Sequence, residues 1–132
     1  MPRNDNPIEK SASLGQMVKI HQVIDFFVLS DLMNGQRYHS EMEQLITQIL
    51  GGVGVNDAYF SKRLFAMYEA GHVTRHWDGD NRYNRFYKIT DAGLVYLKML
   101  LQGELPERVK QAKRVYERID AYIDKFGRMN LK

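Results

Sequence analysis

The sequence predicts a mainly α chain with one small β-hairpin, an α+β arrangement in which helices supply most of the core. Three observations carry that prediction. Apolar residues recur at three- and four-residue spacing through most of the chain, the mark of amphipathic helices. Residues 72–77 and 83–89 are instead rich in aromatic and β-branched types and flank Asp78-Gly79-Asp80-Asn81; Asp-Gly between two such runs is a strong hairpin signal. Near the C-terminus, Val109, Ala112, Tyr116, Ile119, Ile123 and Phe126 follow a 3-4-3-4-3 spacing, an a/d seam of about two and a half heptads.

With 132 residues the chain holds a modest core, and 44% apolar with 27% charged residues is ordinary for a globular protein. The composition divides it into a polar N-terminal tail (1–14), a compact domain (15–103), a C-terminal helix (104–127) and a short tail (128–132). Zero cysteines exclude disulfides and thiolate metal sites and fit a reducing cytoplasm. No apolar run approaches the roughly 18 residues needed to span a membrane, and the N-terminus lacks a signal-peptide core, so no membrane partner is expected.

In chain order, residues 16–33 read as a first helix. Ile20, Val23, Ile24, Phe27, Val28 and Leu32 form a broad stripe, with Phe26, Leu29 and Met33 on its flanks. His21 and Asp25 at i, i+4 are expected to make a surface pair. A turn at 34–36 leads to a second helix over about 41–50. Ser40 and Glu43 have capping-box spacing there, and Leu45, Ile46, Ile49 and Leu50 are expected in the core. Gly51-Gly52-Val53-Gly54 breaks that helix. A third helix spans 56–70, capped by Asn56 or Asp57, with Phe60, Leu64 and Met67 on one buried stripe and Gly71 as its stop. In the hairpin, Val73, Tyr87 and Ile89 read as the inward set. Thr90 or Asp91 caps a fourth helix carrying Leu94, Val95, Leu97, Met99, Leu100 and Leu101, Gly103 interrupts it, and Pro106 suits the first turn of a fifth. The seam on that last helix is too short for a free coiled coil. It needs a partner surface, and a second copy is favoured over the chain's own first helix.

Charge is distributed unevenly. Residues 1–60 hold four Lys/Arg against seven Asp/Glu, whereas residues 61–90 hold six against three. The outer side of the third helix offers Tyr59, Ser61, Lys62 and Arg63 with little bulk, and the hairpin adds Arg75, His76, Arg82, Arg85 and Lys88. A helix with hydrogen-bond donors on its outer face, followed by a cationic ribbon, is the outline of a winged helix-turn-helix that reads duplex DNA. In that reading residues 56–70 enter the major groove and residues 72–89 lie along the backbone. Asn56, Tyr59, Ser61, Lys62 and Arg63 serve the helix; Arg75, His76, Arg82 and Arg85 serve the wing. The partners are double-stranded DNA and a second copy, joined through Val109, Ala112, Tyr116, Ile119, Ile123 and Phe126. The expected location is cytoplasmic, on the nucleoid when bound.

The spacing Ser61-x-x-Leu64-x-x-Met67-x-x-x-Gly71-x-Val73, followed by Tyr87-x-Ile89-Thr90-x-x-Gly93, resembles the recognition helix, wing and following helix of bacterial winged-helix regulators. Upstream, Phe27-Val28-Leu29-Ser30-Asp31-Leu32 with Gly35, then Tyr38-His39-Ser40-Glu41-Met42, is similar to the start of the PadR family. His39 and Ser40 depart from that family's Gly-Tyr preference, and Ser61 stands where it usually has tyrosine. The resemblance covers roughly residues 23–93 and implies a transcriptional repressor with a C-terminal dimerisation helix. It also implies a small aromatic effector near the dimer interface, which Trp77, Tyr96, Tyr116 and Tyr122 would line.

Catalytic chemistry finds no support. There is no Gly-x-Ser-x-Gly, no His-Glu-x-x-His and no paired-carboxylate signature. His72 and His76 have helical ligand spacing but fall on a predicted strand, where i and i+4 are about 13 Å apart. Asp78 and Asp80 lack the rest of a calcium loop. Neither a cofactor nor a metal is therefore expected. Two other readings stay open: a plasmid-partition, replication-control or architectural DNA binder of the same fold, and a protein-interaction module using Phe65, Tyr68 and the first-helix aromatics.

Overall fold

The computed structural model describes residues 12–79 and 85–129; the predicted turn residues Asp80 and Asn81, and Arg82 with them, lie outside the described residues. After a single 3-10 turn at Leu14–Gln16 the elements are α1 (Ile20–Leu32), β1 (Arg37–Tyr38), α2 (His39–Ile49), α3 (Asp57–Glu69), β2 (Val73–Trp77), β3 (Arg85–Ile89), α4 (Asp91–Gln102) and α5 (Leu105–Gly127). Three antiparallel strands form one sheet in the order β1-β3-β2. The arrangement is a winged helix: α1, α2, α3 and α4 enclose the core, the sheet closes one side, and α5 follows.

The core forms where the helical stripes converge. Ile24, Val28, Leu29 and Leu32 of α1 meet Met42 and Ile46 of α2, Phe60, Leu64 and Met67 of α3, and Leu97 of α4. Val73 and Tyr87 seal it from the sheet, with Ile89 packed beside them. Full burial of each large apolar side chain is worth roughly 1.5–3 kcal/mol. The three-residue stripe of α3 is therefore enough to orient that helix. Gly71 ends α3 in the left-handed region (φ +81°), where its amide reaches Tyr68 O and the His72 amide reaches Met67 O.

Several local expectations are corrected. The first helix starts at Ile20, not residue 16, because Lys19 is extended and supplies no side-chain cap, while Met17 tucks inward. Ile20 is exposed and Leu29 is fully buried, so the stripe is rotated from the predicted one. The second helix is capped by a different pair: the Tyr38 amide donates to Glu41 (2.8 Å), because Arg37 and Tyr38 form a strand and α2 starts at its end. Met42 and Ile46 face the core there, whereas Ile49 and Leu50 are exposed. In α4, Val95, Met99 and Leu101 are likewise exposed, leaving Leu97 and Leu100 buried. The β2–β3 ladder runs from Val73↔Ile89 to Trp77↔Arg85. No described helix is long and apolar enough to cross a membrane.

The junction of hairpin and α4 is closely packed. Thr90 Oγ1 donates to Gly71 O (2.6 Å) and accepts the Gly93 amide (3.0 Å), while the Thr90 amide reaches His72 O. A Cβ on Gly93 would overlap the His72 carbonyl oxygen and lie 2.9 Å from Ile89 Cγ1. Gly93→Ala is expected to destabilise the fold by about 1–3 kcal/mol, read as a lower urea midpoint at unchanged m-value. An unchanged midpoint would show that this junction yields freely.

Candidate nucleic-acid interface

α3 is held from inside, and this decides which of its outer residues are free. Asn56 caps it, its side chain accepting the Tyr59 amide at 3.0 Å. Tyr59 is half-buried against the core edge. Ser61 and Lys62 are exposed. Arg63, expected beside them, is turned inward. Its Nε and Nη2 donate to the two carboxylate oxygens of Asp25 at 3.0 and 2.7 Å, and Tyr96 Oη donates to the same carboxylate at 2.7 Å.

Asp25 is fully buried, so it makes no surface pair with His21. A buried carboxylate needs several donors to offset its lost hydration, and one bidentate guanidinium plus a phenol supply three. Hydrogen bonding to Asp25 raises the Arg63 pKa further above its usual value. Burial, followed by the same carboxylate, pushes the Tyr96 phenol up. The His72 ring stacks on Tyr96 at 4.5 Å. Arg63 is thus the link that fixes α3 against α1 and α4.

The hairpin repeats this division. Arg75 lies with its guanidinium carbon 4.4 Å from the Tyr68 ring centroid, 5.3 Å from Trp77 and 5.9 Å from Phe65. Among the described residues its buried Nε has no hydrogen-bond partner, and aromatic faces are what the cation meets. Phe65 and Tyr68 belong to α3, so Arg75 fastens the wing to that helix. Phe65 lies beside this cation, its ring centroid 6.4 Å from that of Tyr68. On the opposite face of the sheet the His76, Phe86 and Tyr38 rings form a row, with centroid spacings of 5.1 and 5.8 Å. Tyr38 Oη donates to Asp78 (2.9 Å), anchoring the start of the β2–β3 connection. Lys88 is exposed on that face and Arg85 is half-buried.

β1 and the ring row were missed by sequence reasoning. A two-residue strand has no measurable alternation; Tyr38 beside a turn was its only signal. A second missed group is His39, Glu43 and Asp57, brought together where the starts of α2 and α3 meet. His39 Nε2 is 2.7 Å from Glu43 Oε1, and their i, i+4 spacing was legible.

On α5 only Ala112 of the predicted seam is buried; Val109, Tyr116, Ile119, Ile123 and Phe126 are exposed. The start of this face continues into an apolar groove of about 700 Å³ lined by residues such as Leu14, Met17, Val23, Phe27, Leu105 and Tyr116. Tyr116 alone of the four predicted effector aromatics lines it. Tyr96 is occupied with Asp25, Trp77 with Arg75, and Tyr122 packs on Phe126 (4.9 Å).

No protein-family model and no curated protein sequence matches the chain. Solved structures match its fold. TA0346 of Thermoplasma acidophilum, a candidate transcriptional regulator, superimposes with a TM-score of 0.62 at 19% identity, over 78% of this chain and 93% of that one. A transcriptional regulator of Clostridium thermocellum gives 0.56 at 19% identity, covering 81% and 95%. A mutant of MarR from E. coli, solved with operator DNA, gives 0.53 at 11% identity, covering 85% and 84%. The fold is that of winged-helix regulators.

Removing Arg63 leaves Asp25 buried with a phenol as its remaining donor. Arg63→Ala is expected to lower stability by about 3–5 kcal/mol, while Lys62→Ala on the outer face stays within about 0.5 kcal/mol. Urea unfolding of both variants distinguishes the two roles. Equal, small effects would show that the Arg63–Asp25 link is dispensable.

Proposed function

We propose that the chain is a homodimeric winged-helix transcriptional regulator, a repressor of the PadR kind, that binds double-stranded DNA. One observation carries the reading. Ser61 and Lys62 project from an α3 locked on its inner side by Phe60, Leu64, Met67 and the Arg63–Asp25 pair, beside a hairpin carrying Arg85 and Lys88. A rigid helix with small donors and one cation on its free face suits the major groove. In this reading Ser61 and Lys62 meet base edges, with Tyr59 at their border. Arg85, Lys88, His76 and Arg82 meet phosphate. Arg63 and Arg75 hold the reading helix and wing in register, and Asn56 caps the helix. The protein would then work in the cytoplasm, on the nucleoid.

The exposed α5 seam and the apolar groove beside it support a second copy as the partner. Two copies related by a twofold axis would address two half-sites about one helical turn apart. The same groove is where a small aromatic effector would sit in this reading. A protein-interaction role is favoured by a different observation, the half-exposed Phe65 (50%), Trp77 (46%) and Tyr68 (38%) around Arg75.

Fluorescence anisotropy of a random 30-base-pair duplex, titrated with protein from low to high salt, separates the two readings. DNA reading predicts dissociation constants of about 1–100 μM that rise steeply with salt; no binding at low salt supports the interaction role. Lys88→Ala is expected to reduce the salt slope by about 1 on every duplex. Lys62→Ala should reduce the ratio of cognate to random affinity by about 5- to 150-fold on an operator selected from random sequence, equivalent to roughly 1–3 kcal/mol. Equal losses on both duplexes for Lys62→Ala would remove it from base recognition. Ile119→Glu with Ile123→Glu is expected to halve the mass seen by sedimentation equilibrium, and an unchanged mass would place the subunit contact elsewhere.

A further inference from the structure

The starts of α2 and α3 carry three metal-ligating side chains on facing positions. His39 is the first residue of α2, Glu43 lies one turn later on the same face, and Asp57 is the first residue of α3. A ligand atom from each of the three lies within 4.8 Å of the others, and His39 Nε2 is 2.7 Å from Glu43 Oε1. Bonds of about 2.1 Å to a first-row metal put neighbouring ligand atoms roughly 3–4 Å apart. Small side-chain rotations take the group from one geometry to the other.

The imidazole is backed by the Phe60 ring, 5.2 Å away, and its Nε2 meets Glu43. His39 and Glu43 are partly buried and Asp57 is exposed, so the group is open to solvent on one side. That is the layout of a three-ligand site with further positions free for water. Burial, then the hydrogen bond and charge of Asp57, push the Glu43 carboxyl up to about 7. Burial also lowers the His39 pKa, with Asp57 opposing and Arg85 reinforcing. Among the described residues, Arg85 adds a positive charge that works against a bound cation.

We propose that His39, Glu43 and Asp57 form a binding site for one divalent first-row transition-metal ion that ties the start of α2 to the start of α3. One imidazole and two carboxylates make a mixed nitrogen–oxygen set of the kind that suits zinc, manganese, iron or nickel ions and is a poor match for calcium or magnesium. The ion would join the two helices of the helix-turn-helix at the end of α3 that begins the exposed Ser61–Lys62 face.

The test uses the full chain without an affinity tag, stripped with a chelator and titrated calorimetrically with zinc chloride and, separately, manganese chloride. It contains no DNA, so it stands apart from the DNA-binding reading. One ion per chain is expected. His39→Ala and Glu43→Gln are each expected to weaken binding at least about tenfold, while His76→Ala leaves it unchanged. Glu43→Gln keeps the side-chain volume and guards against a His39→Ala variant that fails to fold, which circular dichroism reports. Absence of stoichiometric binding of either ion overturns the proposal. So does binding that survives both His39→Ala and Glu43→Gln in folded protein, or that disappears with His76→Ala.

Discussion

The carboxylate of Asp25 is the constraint around which the rest of this structure is arranged. A charge with no solvent exposure must be met by the chain itself, and it is met by Arg63 from α3 and Tyr96 from α4. Three helices distant in sequence are thereby tied at one point beside the apolar core. Apolar packing tolerates small rotations of a helix; a bidentate guanidinium–carboxylate pair does not. The node therefore sets which side of α3 faces out, and its neighbour Lys62, about 100° around the helix, is carried to the solvent side.

The same logic separates the charges of residues 61–90 into two groups. Six Lys/Arg in that stretch read as a phosphate-binding surface when merely counted. In the fold, Arg63 faces Asp25 and Arg75 faces three aromatic rings, so two of the five described cations act within the chain. Lys62 and Lys88 are exposed and Arg85 is half-buried. Arginine is well suited to both internal roles, since its planar group stacks on rings and forks onto carboxylates. The wing is thus held to α3 by the type of residue that was expected to hold it to DNA.

α5 presents the converse case. Its apolar seam has the spacing of a packed interface, yet beyond Ala112 the described residues leave it uncovered. An exposed apolar face that continues into a groove between the N-terminal turn, α1 and α5 is unusual for a finished surface and normal for half of one.

What the residues determined alone were the features governed by local periodicity and local chemistry. The helices, the buried Phe60-Leu64-Met67 stripe, the Gly71 stop, the Thr90 cap and the inward Val73, Tyr87 and Ile89 were all legible, because each depends on neighbours within a few positions. Boundaries governed by pairing at a distance were not. β1 exists only because β3 lies beside it, and its presence moved the cap of α2 from Ser40 to Tyr38. The roles of charged residues were least legible of all. Arg63 and Lys62 are adjacent and chemically alike, and no local rule says which meets a buried carboxylate 38 positions away. Nor does any rule of spacing along one helix bring Asp57 to His39 and Glu43. Tertiary structure decided these matters, since the energy of a charge depends on what surrounds it in space, and the chain order does not encode that directly.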